Sequence, residues 1–247
     1  MRGSSIKTPF PIIFQAIKTL STKNNLQVVY EDNHLLVVNK RPGDIVQGDK
    51  TGDAPLSEIA KQYIAKKYNK PGAVYLGVAH RLDRPTSGIV VFARTSKALA
   101  RLNKLFAERK TVKTYWAIVK DQPPKTAGTL VHYLKRNPKQ NKSHAHKNKV
   151  PDSKHAVLNY NVAKKLKTFF LLKIIPETGR HHQIRSQLAA MGCPIKGDLK
   201  YGSRRSNKNG GIHLHARAIQ ITHPTTKENL TFTAPPPSDP VWDACVS

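Results

Sequence analysis

With 247 residues, 38% of them apolar, the chain can bury the core of one sizeable domain, and its composition lies above the disordered range. Forty-two Lys and Arg against fifteen Asp and Glu leave a formal charge of +27, which suits a polyanionic nucleic-acid partner; an anionic membrane would ask for a basic amphipathic helix or lipidation motif, and the sequence shows neither. Two cysteines, Cys193 and Cys245, exclude a disulfide framework or a Cys-based zinc site and suit a reducing cytosol.

Residues 1 to about 23 show no pattern and are expected to form a flexible extension. Their apolar run, residues 11–14, is too short to span a membrane and has no small-residue cleavage site after it. The domain opens with β-branched-rich runs at 26–30 and 35–39 around Glu31-Asp32-Asn33-His34, a predicted hairpin closed by Arg41-Pro42-Gly43. Leu56, Ile59, Ala60, Tyr63 and Ile64 fall on one helix face, and Pro71-Gly72 stops that helix. Residues 88–93 (GIVVFA) read as a buried strand. Thr95 then caps a helix striped by Leu99, Leu102 and Phe106. A strand over 113–119 follows.

From 134 to 167 lie ten Lys and Arg with one acid, Asp152. The first part, about 135–155, holds Asn137-Pro138 and no apolar periodicity, and is expected to be a mobile basic loop. His144 and His146 within it are RNA-facing donors or plain solvated residues. Strands at 156–162 and 168–175, a helix at 181–191 and strands near 214–221 and 230–233 complete a domain over 24–240. Pro235-Pro236-Pro237 ends it, leaving 241–247 as a tail. Intermixed strands and helices without a βαβ rhythm predict an α+β fold on a mixed, mainly antiparallel sheet.

Three segments hold more polar, conformationally special residues than structure alone requires. In His80-Arg81-Leu82-Asp83-Arg84-Pro85-Thr86-Ser87-Gly88, a carboxylate sits between two arginines on a loop beside a buried strand. Neighbouring cations would hold it ionised, and rigidly held loops commonly carry catalytic groups; a surface ion pair with a turn is the competing reading. Glu177-Thr178-Gly179-Arg180-His181-His182-Gln183-Ile184-Arg185 opens a helix, so Arg180 and Arg185 could grip phosphate or pair with Asp83. Metal binding by His181 and His182 is disfavoured, because adjacent side chains are expected to point apart and no third ligand is evident. In Lys113-Thr114-Tyr115-Trp116-Ala117-Ile118-Val119, alternation puts Tyr115 with Lys113, Ala117 and Val119, opposite Trp116 and Ile118. Such a tyrosine is either a core-edge residue or a platform for an extruded base.

Together these segments resemble the RluA-type pseudouridine synthases over about residues 26–237. The family signature His-Arg-Leu-Asp followed by Thr-Ser-Gly stands at His80–Asp83 and Thr86–Gly88, and its Lys-x-Tyr-x-Ala-x-Val strand at Lys113, Tyr115, Ala117 and Val119. Thr-Gly-Arg-x-His-Gln-Ile-Arg matches Thr178 to Arg185, and Gly-x-Pro-Ile-x-Gly-Asp-x-x-Tyr-Gly fits Gly192 to Gly202. Leu214-His215-Ala216, Thr222-His223-Pro224 and Thr233-Ala234-Pro235 resemble the closing strands. The opening Asn39-Lys40-Arg41-Pro42-Gly43 departs from Asn-Lys-Pro-x-Gly by the placement of Arg41, and His181 stands where Thr or Ser is usual.

The resemblance implies a single catalytic domain with an RNA cleft across its sheet, and isomerisation of selected uridines in structured RNA without cofactor or metal. Asp83 would act on the ribose, by attacking C1′ or removing the C2′ proton. Arg185 would pair with it, and Tyr115 would stack on the base and take the C5 proton. His80, Arg81, Lys113, Arg180, His182, Gln183 and Ile184 would line the substrate site. About 25 residues precede the first motif, too few for the small RNA-binding domain that many relatives carry there, so the basic stretch is expected to supply extra grip. Ribosomal RNA is the preferred substrate and transfer RNA the alternative, for a cytoplasmic monomer that binds neither membrane nor DNA. The competing class, a catalytically silent RNA-binding or assembly factor, would have no use for Asp83, Tyr115 and Arg185 together.

Overall fold

Strands that are apolar at every position have to be covered on both faces, and that requirement sets the architecture. The computed structural model describes residues 20–49 and 52–246, so the first 19 positions of the expected extension lie outside the described residues. In chain order the elements are β1 (Val28–Glu31), β2 (Leu35–Lys40), α1 (Leu56–Lys67), β3 (Gly77–Val78), β4 (Ser87–Ala93), α2 (Ser96–Ala107) and β5 (Val112–Val119). Then come β6 (Ala127–Asn137), β7 (Lys142–His146), β8 (Lys154–Lys165), β9 (Phe170–Pro176), α3 (Gln183–Ala190), a 3-10 turn (Leu199–Tyr201), β10 (Leu214–Thr222), β11 (Asn229–Thr233) and α4 (Pro240–Val246). One sheet runs β1-β2-β4-β10-β5-β9-β8-β6-β7, with β3 added to β4 and β11 to β10. The β4–β10 pair is parallel and its neighbours are antiparallel, which makes the sheet mixed and mainly antiparallel as expected.

Every residue of β2 and β4 is buried, and alternate positions serve opposite layers. Leu35, Val37, Ile89, Val91 and Ala93 meet Ala98 and Leu102 of α2, whereas Leu36, Val38, Val90 and Phe92 meet Leu56, Ala60 and Ile64 of α1. Across the sheet, Ala117, Val119, Leu172 and Ile174 pack on Ile184 and Leu188 of α3, while Ile118 and Leu171 meet Trp242 of α4. Tyr115 packs against both the α1 and the α3 clusters, so it sits at the seam between the two halves of one face. Thr95 caps α2, its hydroxyl accepting from the Ala98 amide at 3.1 Å.

Gly88 is the tightest point of the sheet. Its φ is +115°, and a Cβ there would lie 2.3 Å from the Ala216 carbonyl oxygen, so no other residue lets β4 and β10 close in parallel. Ser87 beside it bonds His215 Nδ1 at 2.9 Å.

Three expectations about the domain differ from the structure. The stretch about 135–155 is not a mobile loop: its first part is the β6–β7 hairpin, paired from Tyr133–His146 to Asn137–Lys142. Both faces of that ribbon are largely polar, which erased the alternation that would have marked it; the turn is fixed by Asn137, whose Oδ1 accepts from Gln140 N at 3.2 Å. Residues 241–246 are not a tail but most of α4. Asp239 caps that helix by accepting from the Val241 and Trp242 amides at 2.9 and 3.0 Å, Pro240 takes its first position, and Trp242 is 2% exposed. The domain also starts earlier than residue 24, since buried Ser21 is tied to Asp44 by its amide and hydroxyl.

Candidate active site

The loop that carries Asp83 is clamped through its own backbone. The Asp83 carbonyl accepts from Thr86 N at 3.0 Å, Arg84 from Gly43 N at 2.8 Å and Pro85 from Ile212 N at 3.1 Å. Lys40, 1% exposed at the end of β2, inserts its ammonium beneath the loop and donates to the carbonyls of Arg41, Arg84 and Thr86 at 2.9, 3.1 and 2.7 Å. Burial pushes the Lys40 pKa down to about 7, with Asp44 and Asp83 opposing that fall. Every carbonyl from Asp83 to Thr86 is thus engaged, and the carboxylate rises from a rigid base.

Asp83 itself keeps 30% of its side chain exposed. Its Oδ2 accepts from Arg185 Nη1 at 3.0 Å, the pairing expected of that arginine, whereas Oδ1 has no hydrogen-bond partner among the described residues. Arg185, on the first turn of α3, has its other edge locked in a fork on Asp198: Nε to Oδ2 at 2.7 Å and Nη2 to Oδ1 at 2.9 Å. Burial works against the guanidinium charge, but Asp198 and Asp83 outweigh it and raise its pKa above the ordinary value. One buried cation therefore serves two carboxylates, with Asp198 fixing its orientation.

His182 approaches the same Asp83 oxygen, Nε2 to Oδ2 at 3.5 Å. It takes a left-handed conformation, φ 53°, uncommon outside glycine and a mark of local constraint. That conformation overturns the expectation that His181 and His182 point apart: their rings stack at 3.8 Å. Burial drives the His182 pKa down to about 3, against the pull of Asp83, so the ring is neutral at physiological pH. Its Nδ1 lies 3.0 Å from the Tyr201 hydroxyl, and that oxygen accepts from the Ser143 amide at 2.8 Å.

Tyr115 on β5 is half-buried, and burial together with the Asp83 charge raises its phenol pKa. Lys113 lies on the same strand face, its ammonium beside Gly179, with its pKa lowered by burial. A small pocket between them is lined by His80, Ile89, Lys113, Tyr115 and Ala216. His80 points into the fold: Nε2 accepts from Val91 N at 3.0 Å, and burial lowers its pKa to about 4. Arg81 is exposed at the mouth of the loop.

Gln183 is 4% exposed and its amide bonds at both ends. It accepts from Thr178 Oγ1 at 2.7 Å and Arg180 N at 3.0 Å and donates to Val157 O at 3.0 Å, which latches the loop before α3 to β8. Ile184 is a core residue beneath the site, 7% exposed. Arg180 reaches away from Asp83 and donates to His155 O at 3.0 Å. The structure thus gathers Asp83, Arg185, His182 and Tyr115 at one seam, sets Lys113 and His80 on its wall, and turns Gln183 and Ile184 inward.

Lys40, Asp198, Tyr201 and Ser143 were missed as site residues. The first three stand inside motifs already picked out, Lys40 as a cation ending a fully buried strand, but their partners lie up to 58 positions away in sequence. Ser143 carries no sequence signal of its own.

Comparison with known proteins places the chain in a family. The family model described as RNA pseudouridylate synthase matches residues 34–190. The ribosomal large subunit pseudouridine synthase C of Buchnera aphidicola is 32% identical over 94% of this chain and 76% of its own length. Synthase D of Vibrio cholerae is 32% identical over 87% of this chain and 69% of its own. Among solved structures, human RNA pseudouridylate synthase domain containing 1 superposes with a TM-score of 0.72 at 25% identity, covering 92% of this chain and 90% of that one. The chain belongs to the RluA-type family of RNA pseudouridine synthases.

Proposed function

We propose that Asp83 is the carboxylate through which this isomerase converts uridine to pseudouridine in large-subunit ribosomal RNA. The observation that carries the reading is the asymmetry of Asp83: Arg185 holds Oδ2, while Oδ1 has no partner among the described residues and belongs to a partly exposed side chain on an immobilised loop. An ionised oxygen so held can attack C1′ or take the C2′ proton with little reorganisation. The N1–C1′ bond then breaks, the base turns, and C5 joins C1′ before losing its proton. The names of the two bacterial relatives, both of the ribosomal large subunit, favour that RNA over transfer RNA.

In this reading the target base leaves its stack, at a cost of roughly a few kcal/mol, and lies on Tyr115. The raised pKa brings Tyr115 into the reaction neutral, so it takes the C5 proton as its own passes, directly or through water, to N1, which the broken bond left bare. Lys113 and Arg81 face the nucleotide and its backbone; His80, Arg180, Gln183 and Ile184 shape the walls that hold them. Exposed cations on the β6–β7 hairpin extend the grip on RNA, and the enzyme works as a cytoplasmic monomer with both cysteines buried and free.

The test is carbodiimide-adduct mapping of RNA from cells carrying the wild-type protein or Asp83→Asn. The substitution is expected to erase one or a few pseudouridine stops while RNA affinity stays within about a few-fold, since shape and charge barely change. Stops that persist, together with wild-type turnover by the purified variant, would sink the assignment. Tyr115→Phe is expected to retain base stacking and stall the last proton step; full-speed turnover by it would remove Tyr115 from proton transfer.

A further inference from the structure

The β6–β7 hairpin touches the active site through a defined set of bonds. Ser143, 2% exposed in the middle of a polar ribbon, turns inward and uses both its groups. Its hydroxyl bonds His181 Nδ1 at 2.8 Å and its amide donates to Tyr201 Oη at 2.8 Å. Asn141 Oδ1 meets His181 Nε2 at 3.2 Å, and Lys200 Nζ donates to the Gln140 and Asn141 carbonyls at 3.2 and 3.1 Å. The solvent side of the same hairpin is different: Lys135, Arg136, Lys139, His144 and His146 line a groove of about 370 Å³.

The direction of the protons follows from the partners. A carboxylate only accepts, so the neutral His182 ring turns an Nε2–H toward Asp83 and leaves Nδ1 to accept the Tyr201 proton, 3.0 Å away, while Tyr201 Oη accepts the Ser143 amide. With Nδ1 filled, that tautomer is fixed, its Nε2 facing Asp83 Oδ2 at 3.5 Å. Removing the tyrosine hydroxyl frees the other tautomer, whose Nε2 lone pair would face the carboxylate. The Tyr201 ring also lies 5.1 Å from the Arg185 guanidinium, so one side chain touches both groups that hold Asp83.

We propose that the hairpin is a positioning lever, in which RNA bound in its outer groove sets Asp83 through Ser143, Tyr201 and His182. Tyr201 is a positioning residue here, and the proposal rests on the reading of Asp83 as the acting carboxylate. His181 belongs to the same device, fastening the turn of the hairpin to the residue beside His182.

The test uses the full chain in excess over RNA from cells lacking this enzyme, scoring the single-turnover rate and the half-saturating concentration at the pseudouridine stop. Tyr201→Phe is expected to slow the saturated rate about 3- to 10-fold, the worth of one hydrogen bond, with the half-saturating concentration unchanged. The triple variant Lys135→Gln, Arg136→Gln, Lys139→Gln is expected to raise the half-saturating concentration and slow the saturated rate. Added to that background, Tyr201→Phe should cost nothing further in rate, because the lever already lacks its load. Rate losses that multiply, or a Tyr201→Phe rate equal to wild type, would overturn the lever. Ser143→Ala, which keeps the backbone amide and loses only the His181 bond, enters the same cycle should Tyr201→Phe melt early. Turnover by Asp83→Asn in this assay would instead overturn the reading of the site beneath it.

Discussion

The cations that fix the Asp83 carboxylate and the loop beneath it are few, buried and bonded, whereas on the β6–β7 hairpin they are many and open to solvent. Arg185 is 5% exposed and shared between Asp83 and Asp198, and Lys40 is 1% exposed and spent on three carbonyls. The hairpin groove gathers Lys135, Arg136 and Lys139, and the only acid from 134 to 167 is Asp152, 3.9 Å from Lys135. Charge inside the protein is strong and barely screened, so it fixes geometry; charge on the ribbon is screened by salt and suits a partner that brings its own phosphates. The two regions should therefore fail differently when altered.

Arg185→Met strikes the interior hardest. It leaves Asp198, 1% exposed, as a buried carboxylate without a cation, a change that typically costs about 3–5 kcal/mol. It also lets Asp83 drift, and a misplacement of about 1 Å can cost on the order of 10²-fold in rate. Both losses are expected, in thermal unfolding and in single-turnover assays. A variant that melts like wild type would show that the interior does not depend on this pair.

Acid itself is the next largest effect. Burial lowers His80 and His215 to about 4 and His182 to about 3, against 6.5 when unfolded. The unfolded chain binds these protons more readily, so stability is full above about pH 6.5 and declines as pH falls toward 4. Each ring contributes a slope of up to roughly 1 kcal/mol per pH unit in that window. Denaturant unfolding between pH 7 and 5 should show it. A flat profile would mean that the interior rings are not held neutral.

Legibility in the sequence followed the same division. The interior was readable, because β4 announced itself as an unbroken apolar run and Asp83 stood in a motif whose spacing survives folding. What stayed hidden depended on partners remote in sequence or on backbone conformation. Asp198 and Tyr201 reach the site only because the 3-10 turn brings them under α3, and the left-handed φ of His182 stacks two rings that an ordinary backbone would separate. The hairpin was unreadable for the opposite reason. A ribbon whose two faces are both polar has no period to detect, and its register comes from a turn and one inward serine. At the C-terminus the signal was present in Asp239-Pro240 but was outweighed by the three prolines before it.

The smallest expected effect sharpens the comparison most. Lys135→Gln, Arg136→Gln, Lys139→Gln removes three cations from the groove without touching Ser143 or the buried pairs, so the melting temperature should hold. Each phosphate that the variant no longer neutralises should flatten the plot of log affinity against log salt by about 0.7 to 0.9, hence by about 2 to 3 if all three cations grip RNA. Asp83→Asn keeps all three cations and should retain the wild-type slope while losing turnover. Filter binding of the two variants across a salt series therefore separates the surface that holds RNA from the seam that works on it. An unchanged slope in the triple variant would put the RNA on another basic face, and would leave the hairpin as an arm packed on the site for structural reasons alone.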